Sequence, residues 1–290
     1  MFASAISSPA DDDPAKTRNQ TSPPFQTTTS SNDLDEQHAT CSTGSAVLRY
    51  LLEVPPTDLN LNIFVRNKNK LLEAFPDLED TKQPKTTIIE GTPNDQSSLQ
   101  QALKDAAVIF QCIATNQSTP GVSVAHDTVT ALIGALEGLQ RQSDSYRTPM
   151  VLQVRAAPLN PTFAAQQPWL MSTIIHFALH HTYADTDKAC KLLASTHDET
   201  PGLLDYAFVD TQAVFDAGGT TRTGYELTLT GPVSPSISYA DTGAAFCEIA
   251  ERQEEFKGKG VGVTATGKVR ATPQANMYFI GVGIKGRLFG

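Results

Sequence analysis

AVIFQCI, Ala107–Ile113, is the stretch whose reading decides the fold. It is seven residues long and almost unbroken in its apolar character. A strand with one wet face alternates polar and apolar residues, whereas a strand covered on both faces need not. The run therefore reads as a strand buried on both sides. Three further strands surround it in sequence: Leu61–Val65 (LNIFV), Thr86–Glu90 (TTIIE, closed by a turn at Gly91) and Met150–Val154 (MVLQV). Segments with helical spacing lie between them. Ser45–Glu53 (SAVLRYLLE) places Val47, Leu48, Leu51 and Leu52 on one side and stops at Pro55 and Pro56. Lys68–Phe75 stops before Pro76, Ser97–Asp105 carries Leu99, Ala102 and Leu103 on one face, and Val122–Leu139 is long. Strand and helix alternating over short connections make βαβ units with right-handed crossovers. The expected fold is α/β, a doubly wound, Rossmann-like parallel sheet whose ligands sit at the carboxyl ends of the strands.

The second half is less regular. Trp169–His181, Asp185–Ser195 and Asp241–Arg252 read as helices, with Asp241 as the N-cap of the last. Leu204–Val209, Tyr225–Thr230 and Val261–Thr266 read as strands, and Met277–Gly290 as a final helix or cap. Residues 1–37 are rich in Ser, Thr, Pro, Asp and Asn, with Phe2, Ile6, Phe25 and Leu34 isolated. So little apolar surface does not offset the entropy of ordering, so 1–37 is expected to be a disordered arm.

Composition excludes several classes. The 290 residues carry 22 Lys and Arg against 31 Asp and Glu, a net charge of −9, which disfavours binding to a phosphate backbone. Cys41, Cys112, Cys190 and Cys247 lie far apart, so neither a metal site nor a disulfide framework is expected, and the thiols read as reduced. No apolar run approaches the roughly 20 residues that a spanning helix needs, and no basic-then-apolar leader opens the chain. The expectation is a soluble, cytoplasmic protein with no membrane or nucleic-acid partner.

A dinucleotide site would use a glycine-rich turn between strand and helix, with the helix N-terminus holding the pyrophosphate. HATCSTG, His38–Gly44, runs straight into the first helix. A GxxGxxG spacing falls on positions 38, 41 and 44, of which only Gly44 is glycine. The preceding residues, SNDLDEQ (31–37), are no buried strand. A polar turn capping the helix through Ser42 or Thr43 is the plainer alternative. Arg66 follows LNIFV, where a guanidinium either meets a 2′-phosphate or is an ordinary solvated surface residue, and Thr115 and Asn116 follow AVIFQCI, where a ribose would pass or a plain loop would run.

Taken together, the chain resembles the atypical short-chain dehydrogenase/reductases of the NmrA-like NAD(P)-binding branch. The resemblance rests on ATCSTGSAVLRYLL, NIFVRNKNKL, IIEGTPND, VIFQCIATNQSTPG, YADTDKACKLL, SISYADTGAAFCEIAE and GKGVGVTATGKV, and covers roughly residues 39–290. Within that branch it is most similar to fungal averufin-oxidase-like oxidoreductases, which tailor aromatic polyketides such as anthraquinones in mycotoxin pathways. The resemblance implies an NAD(P)-binding part over 38–155 and a substrate-binding lobe over 156–290. It implies NADP, with NAD possible, held by Thr40, Ser42, Thr43, Gly44, Arg66, Thr115 and Asn116. It also implies hydride transfer to or from an aromatic polyketide, with Tyr183 as proton donor and Lys188 as its partner. The family's Lys lies four residues after the Tyr; here Asp187 has that place and Lys188 is one further, a geometry relaxed if Tyr183 precedes the helix. Arg155, Ala156 and Ala157 stand where the partner Ser is expected. The alternatives are a non-catalytic, dinucleotide-sensing regulator and an inactive product of a degenerate gene.

Two other constellations carry chemistry-bearing residues. His176 and His180 are spaced for metal binding but lack a third ligand, so a polar helix face is the plainer reading. Asp210–Asp216 (DTQAVFD) follows a strand and could line a substrate pocket.

Overall fold

The computed structural model describes residues 2–6, 42–56, 59–81, 84–115, 118–216, 220–269, 280–281 and 284–287. Ten strands occur in chain order among them: β1 (Phe2–Ile6), β2 (Asn60–Val65), β3 (Lys85–Glu90), β4 (Val108–Gln111), β5 (Met150–Ala156), β6 (Asp205–Thr211), β7 (Ala213–Phe215), β8 (Tyr225–Thr228), β9 (Ser236–Ser238) and β10 (Gly260–Ala265). Eight form one sheet in the order β3-β2-β1-β4-β5-β6-β10-β8, and β7 pairs with β9. The helices are α1 (Ser42–Glu53), α2 (Lys68–Ala74), α3 (Gln96–Leu103), α4 (Val124–Gln142), α5 (Pro161–Ala164), α6 (Trp169–Ala178), α7 (His180–Glu199), α8 (Tyr239–Glu251) and α9 (Gln253–Phe256). The doubly wound α/β expectation holds: β2 pairs with β3, β4 with β5, β5 with β6 and β6 with β10, all in parallel.

The two-sided burial read from AVIFQCI is real. Every residue of β4 is buried. On one face of the sheet, Val47, Leu48 and Leu51 of α1 and Phe246 and Ile249 of α8 pack against Leu61, Ile63, Phe110 and Leu152. On the other, Leu99 of α3, Val129 and Leu132 of α4 and Leu193 of α7 cover Ile109 and Val151. Burying each such side chain contributes about 1.5–3 kcal/mol. The layers fit closely where α8 crosses α1. A β-carbon on Gly243 would lie 2.5 Å from the carbonyl carbon and oxygen of Ala46, so the crossing requires glycine.

Four findings depart from expectation. The central slot, between β2 and β4, is filled by Phe2–Ile6, inside the segment expected to be a disordered arm; 7–37 lie outside the described residues. This strand is antiparallel to both neighbours, with Phe2 opposite Phe64 and Gln111 and Ile6 opposite Asn60. A strand of parallel sense would deliver the chain directly to the start of α1. Here the carboxyl end of β1 lies at the other edge of the sheet. Second, the apolar run Trp169–His181 is not one helix. It breaks at Leu179, whose N–H closes α6 on the Ile175 carbonyl. Third, Ser238 rather than Asp241 is the N-cap of α8. Asp241 sits three positions on: its amide donates to Ser238 Oγ at 2.9 Å, and its carboxylate accepts from Ser238 Oγ at 2.6 Å and from the Thr223 and Gly224 amides. Fourth, Asp210 lies within β6, not in a loop after it. Of the expected C-terminal helix, residues 280–281 and 284–287 are helical and described.

Candidate active site

Parallel register brings the carboxyl ends of β2, β3, β4 and β5 to one edge of the sheet. α1 and α7 each precede a strand that begins at the opposite edge, so their N-termini lie at this edge too. Ser42, Thr43, Gly44, Arg66, Thr115 and Tyr183 therefore share one rim; Thr40 and Asn116 lie outside the described residues.

At the rim, α1 opens with Ser42, Thr43, Gly44 and Ser45. Thr43, Gly44 and Ser45 are buried. The Ser45 hydroxyl is buried and has no hydrogen-bond partner. A buried polar oxygen without a partner is costly, and beside the free amides of a helix N-terminus it suits an anionic oxygen. Small residues and free donors at this position fit a nucleotide diphosphate. Arg66 follows β2, is exposed, and has no hydrogen-bond or ion-pair partner among the described residues. After β4, fully buried Gln111 accepts the Ile113 amide through Oε1 at 2.7 Å and so shapes the turn leading to half-buried Thr115. No sequence signal marked Gln111. Gln153, its register partner on β5, is also fully buried and leaves Oε1 unpaired.

Tyr183 lies in the first turn of α7, not before it. Five residues of helix turn Lys188 about 140° away from it, and Lys188 is exposed. The expected Tyr–Lys pairing is not formed. Tyr183 instead meets His176 of α6 edge to face, at 5.3 Å between ring centroids. Its hydroxyl makes no hydrogen bond among the described residues, and burial pushes the phenol well above its ordinary value. The helix start is held from two sides. The Thr182 amide donates to Ser118 Oγ of the β4–α4 loop at 3.5 Å, and buried Asp185 accepts the Ala125 and His126 amides of α4 at 2.8 and 3.0 Å.

Because α6 ends before α7 begins, His176 and His180 are not on one helix. His180 meets His181 edge to face instead, and no group of metal-ligating side chains occurs among the described residues. Arg155, at the position expected of a serine, makes a buried bidentate pair with Asp210: Nε donates at 2.5 Å and Nη2 at 2.7 Å. Asn160 Nδ2 donates to the same carboxylate at 2.8 Å. Burial pushes the Asp210 carboxyl up against the opposing pull of Arg155 and Asn160. A β-carbon on Gly260 would fall among these three side chains, so glycine there makes room for the cluster. An open concavity of about 380 Å³ lies over it, lined by Tyr206, Phe208 and Lys259 among others and by none of the rim residues.

A rim of this kind at the carboxyl ends of a doubly wound sheet has the position at which such folds bind nucleotides. A profile described as NAD(P)H-binding matches residues 39–253. The chain belongs to the NAD(P)H-binding family. It is 45% identical over 255 residues to averufin oxidase A of Dothistroma septosporum (strain NZE10), covering 86% of this chain and 89% of that protein. It is 44% identical over 233 residues to averufin oxidase A of Aspergillus flavus (80% and 82% covered) and 41% identical to an averufin oxidase of Emericella nidulans (81% and 82%). Among solved structures, a short-chain dehydrogenase/reductase of Veillonella parvula in complex with NADP shares the fold, with a TM-score of 0.56, 17% identity, and 78% of this chain and 90% of that one covered. The chain is thus an NAD(P)-binding oxidoreductase, similar to the averufin oxidases over most of its length. No helix among the described residues is long and apolar enough to cross a membrane.

Proposed function

We propose that this oxidoreductase uses NADP(H) to transfer a hydride to or from an anthraquinone-type polyketide in a fungal secondary-metabolite pathway. The close likeness to averufin oxidases over more than four-fifths of the chain carries this reading. The amides opening α1, with the Ser45 hydroxyl, would hold the diphosphate, Thr115 would border the ribose, and Arg66 would pair with a 2′-phosphate. Bound at this rim, the coenzyme supplies two-electron hydride chemistry.

The chain's own part is positional and protic. His176, edge-on, fixes the Tyr183 ring. Burial keeps the phenol protonated through neutral pH, so as hydride reaches the substrate carbon in the reducing direction Tyr183 donates its proton to the substrate oxygen, and it takes that proton back in the reverse direction. No lysine close by lowers its pKa, which separates it from the Tyr–Lys arrangement of the resembled family. Lys188 has no place in this scheme.

Coenzyme preference is the test. Replacing Arg66 with Ala removes a charge-assisted contact and weakens NADPH about tenfold or more while leaving NADH unchanged. Equal loss for both coenzymes, or none, contradicts the assigned role of Arg66.

A further inference from the structure

α6 is built inside out. Five of its six large apolar side chains, Trp169, Leu170, Met171, Ile174 and Phe177, are exposed, with Leu170, Ile174 and Phe177 on one side of the helical wheel. Trp169 is 78% exposed and Leu170 57%. The side turned inward carries Ser172, Ile175, His176 and Ala178. An ordinary surface helix has the reverse pattern. So much contiguous apolar surface in ten residues, about 15 Å of helix, is the mark of a contact with something other than water.

The charges around it indicate what that is. The chain as a whole is acidic, yet no Asp or Glu occurs from 145 to 184, the stretch that contains α6. None occurs from 256 to 290 either, where six Lys and Arg do. The structure brings the end of the second stretch against α6. The Arg287 guanidinium lies over the Phe177 ring at 5.7 Å, and Lys285 and Arg287 are both exposed. A β-carbon on Gly286 would lie 2.6 Å from the Ser118 carbonyl, so this C-terminal turn packs tightly on the loop that also receives the start of α7.

We propose that α6 docks the protein on an anionic lipid surface. The apolar face of Leu170, Ile174 and Phe177 enters the headgroup layer while Lys285 and Arg287 meet the lipid charge. An interfacial helix needs no spanning segment, so the lack of one does not bear on it. Because His176 joins α6 to Tyr183, docking would face the candidate site toward the lipid, where flat apolar molecules partition. A second copy of this net-acidic chain is the competing occupant, and the exposed pair Lys285 and Arg287 beside the apolar face favours the lipid.

Trp169 is the sole tryptophan and reports directly. The full chain is mixed with vesicles of phosphatidylcholine containing phosphatidylserine, and sedimentation and tryptophan emission are followed. The expected result is co-sedimentation with a blue-shifted emission, weakened about tenfold or more in a Lys285→Glu/Arg287→Glu variant or by raised salt. Leu170→Glu/Phe177→Glu, at exposed positions that leave the core intact, is expected to abolish it. Equal binding to phosphatidylcholine alone, no binding to either vesicle, or a blue shift that grows with protein concentration as a dimer forms without lipid would each overturn the proposal. None of these readouts depends on turnover.

Discussion

The carboxylate of Asp185 on α7 accepts the Ala125 amide of α4 at 2.8 Å, and the next amide, His126, at 3.0 Å. Ser123, the local N-cap of α4, makes no capping bond to its own helix, so the cap comes from 60 residues away. This one contact closes the start of α4, buries a charge where the helix dipole favours it, and fixes the turn that carries Tyr183.

Asp185→Ala leaves two amides without partners in a region with little water. It is expected to lower stability by about 1–3 kcal/mol, read as a lower urea midpoint with the same slope. Asp185→Asn, which keeps an acceptor, should recover part of the loss. A midpoint unchanged in the Ala variant would mean that the cap contributes nothing.

Alkaline pH gives a second prediction. Burial raises the phenols of Tyr146, Tyr183 and Tyr225 above their ordinary value. Tyr146 donates to the Leu203 carbonyl at 2.7 Å and Tyr225 to Glu248 at 2.9 Å. The folded state holds these protons to higher pH than the unfolded state. The resulting stability is therefore fully present below pH about 10 and lost as pH rises beyond it. Phenolate absorbance should show three tyrosines that ionise only with unfolding. Three phenols titrating normally in the folded chain would contradict the burial seen here.

Much of this was legible in the sequence, and the exceptions have physical causes. Continuous apolar runs such as Ala107–Ile113 announced β4 and its neighbours because both faces of the sheet are covered. β1 was not legible, since Phe2–Ile6 is short and small-sided, stands apart from the turn it was expected to precede, and enters the sheet backwards. The break at Leu179 was hidden because apolar residues continue across it. Arg155–Asp210 and Asp185–Ala125 are contacts between residues 55 and 60 apart, which no local spacing reveals. Gln111 and Gln153 gave no signal because a glutamine within a strand reads as a solvent-facing residue. The wheel of α6 could be drawn from sequence, but which side meets solvent could not.

Tyr183 and Lys188 separate the account from the resembled family's scheme. Tyr183→Phe removes the proton donor and should lower kcat about 10²-fold or more with KM little changed. Lys188→Ala, at an exposed position turned away from Tyr183, should leave kcat near that of the parent. Loss of activity in the Lys188 variant comparable to that of Tyr183→Phe would restore the Tyr–Lys scheme.

The rim formed by α1, Arg66 and Thr115 is assigned a nicotinamide coenzyme even though β1 begins at this rim and leaves the sheet at the far edge. Titrating NADPH and NADH into the full chain, followed by coenzyme fluorescence, tests it most directly. NADPH is expected to bind saturably, with NADH weaker by about tenfold or more for want of the Arg66 contact. Failure of both coenzymes to saturate the chain would contradict it.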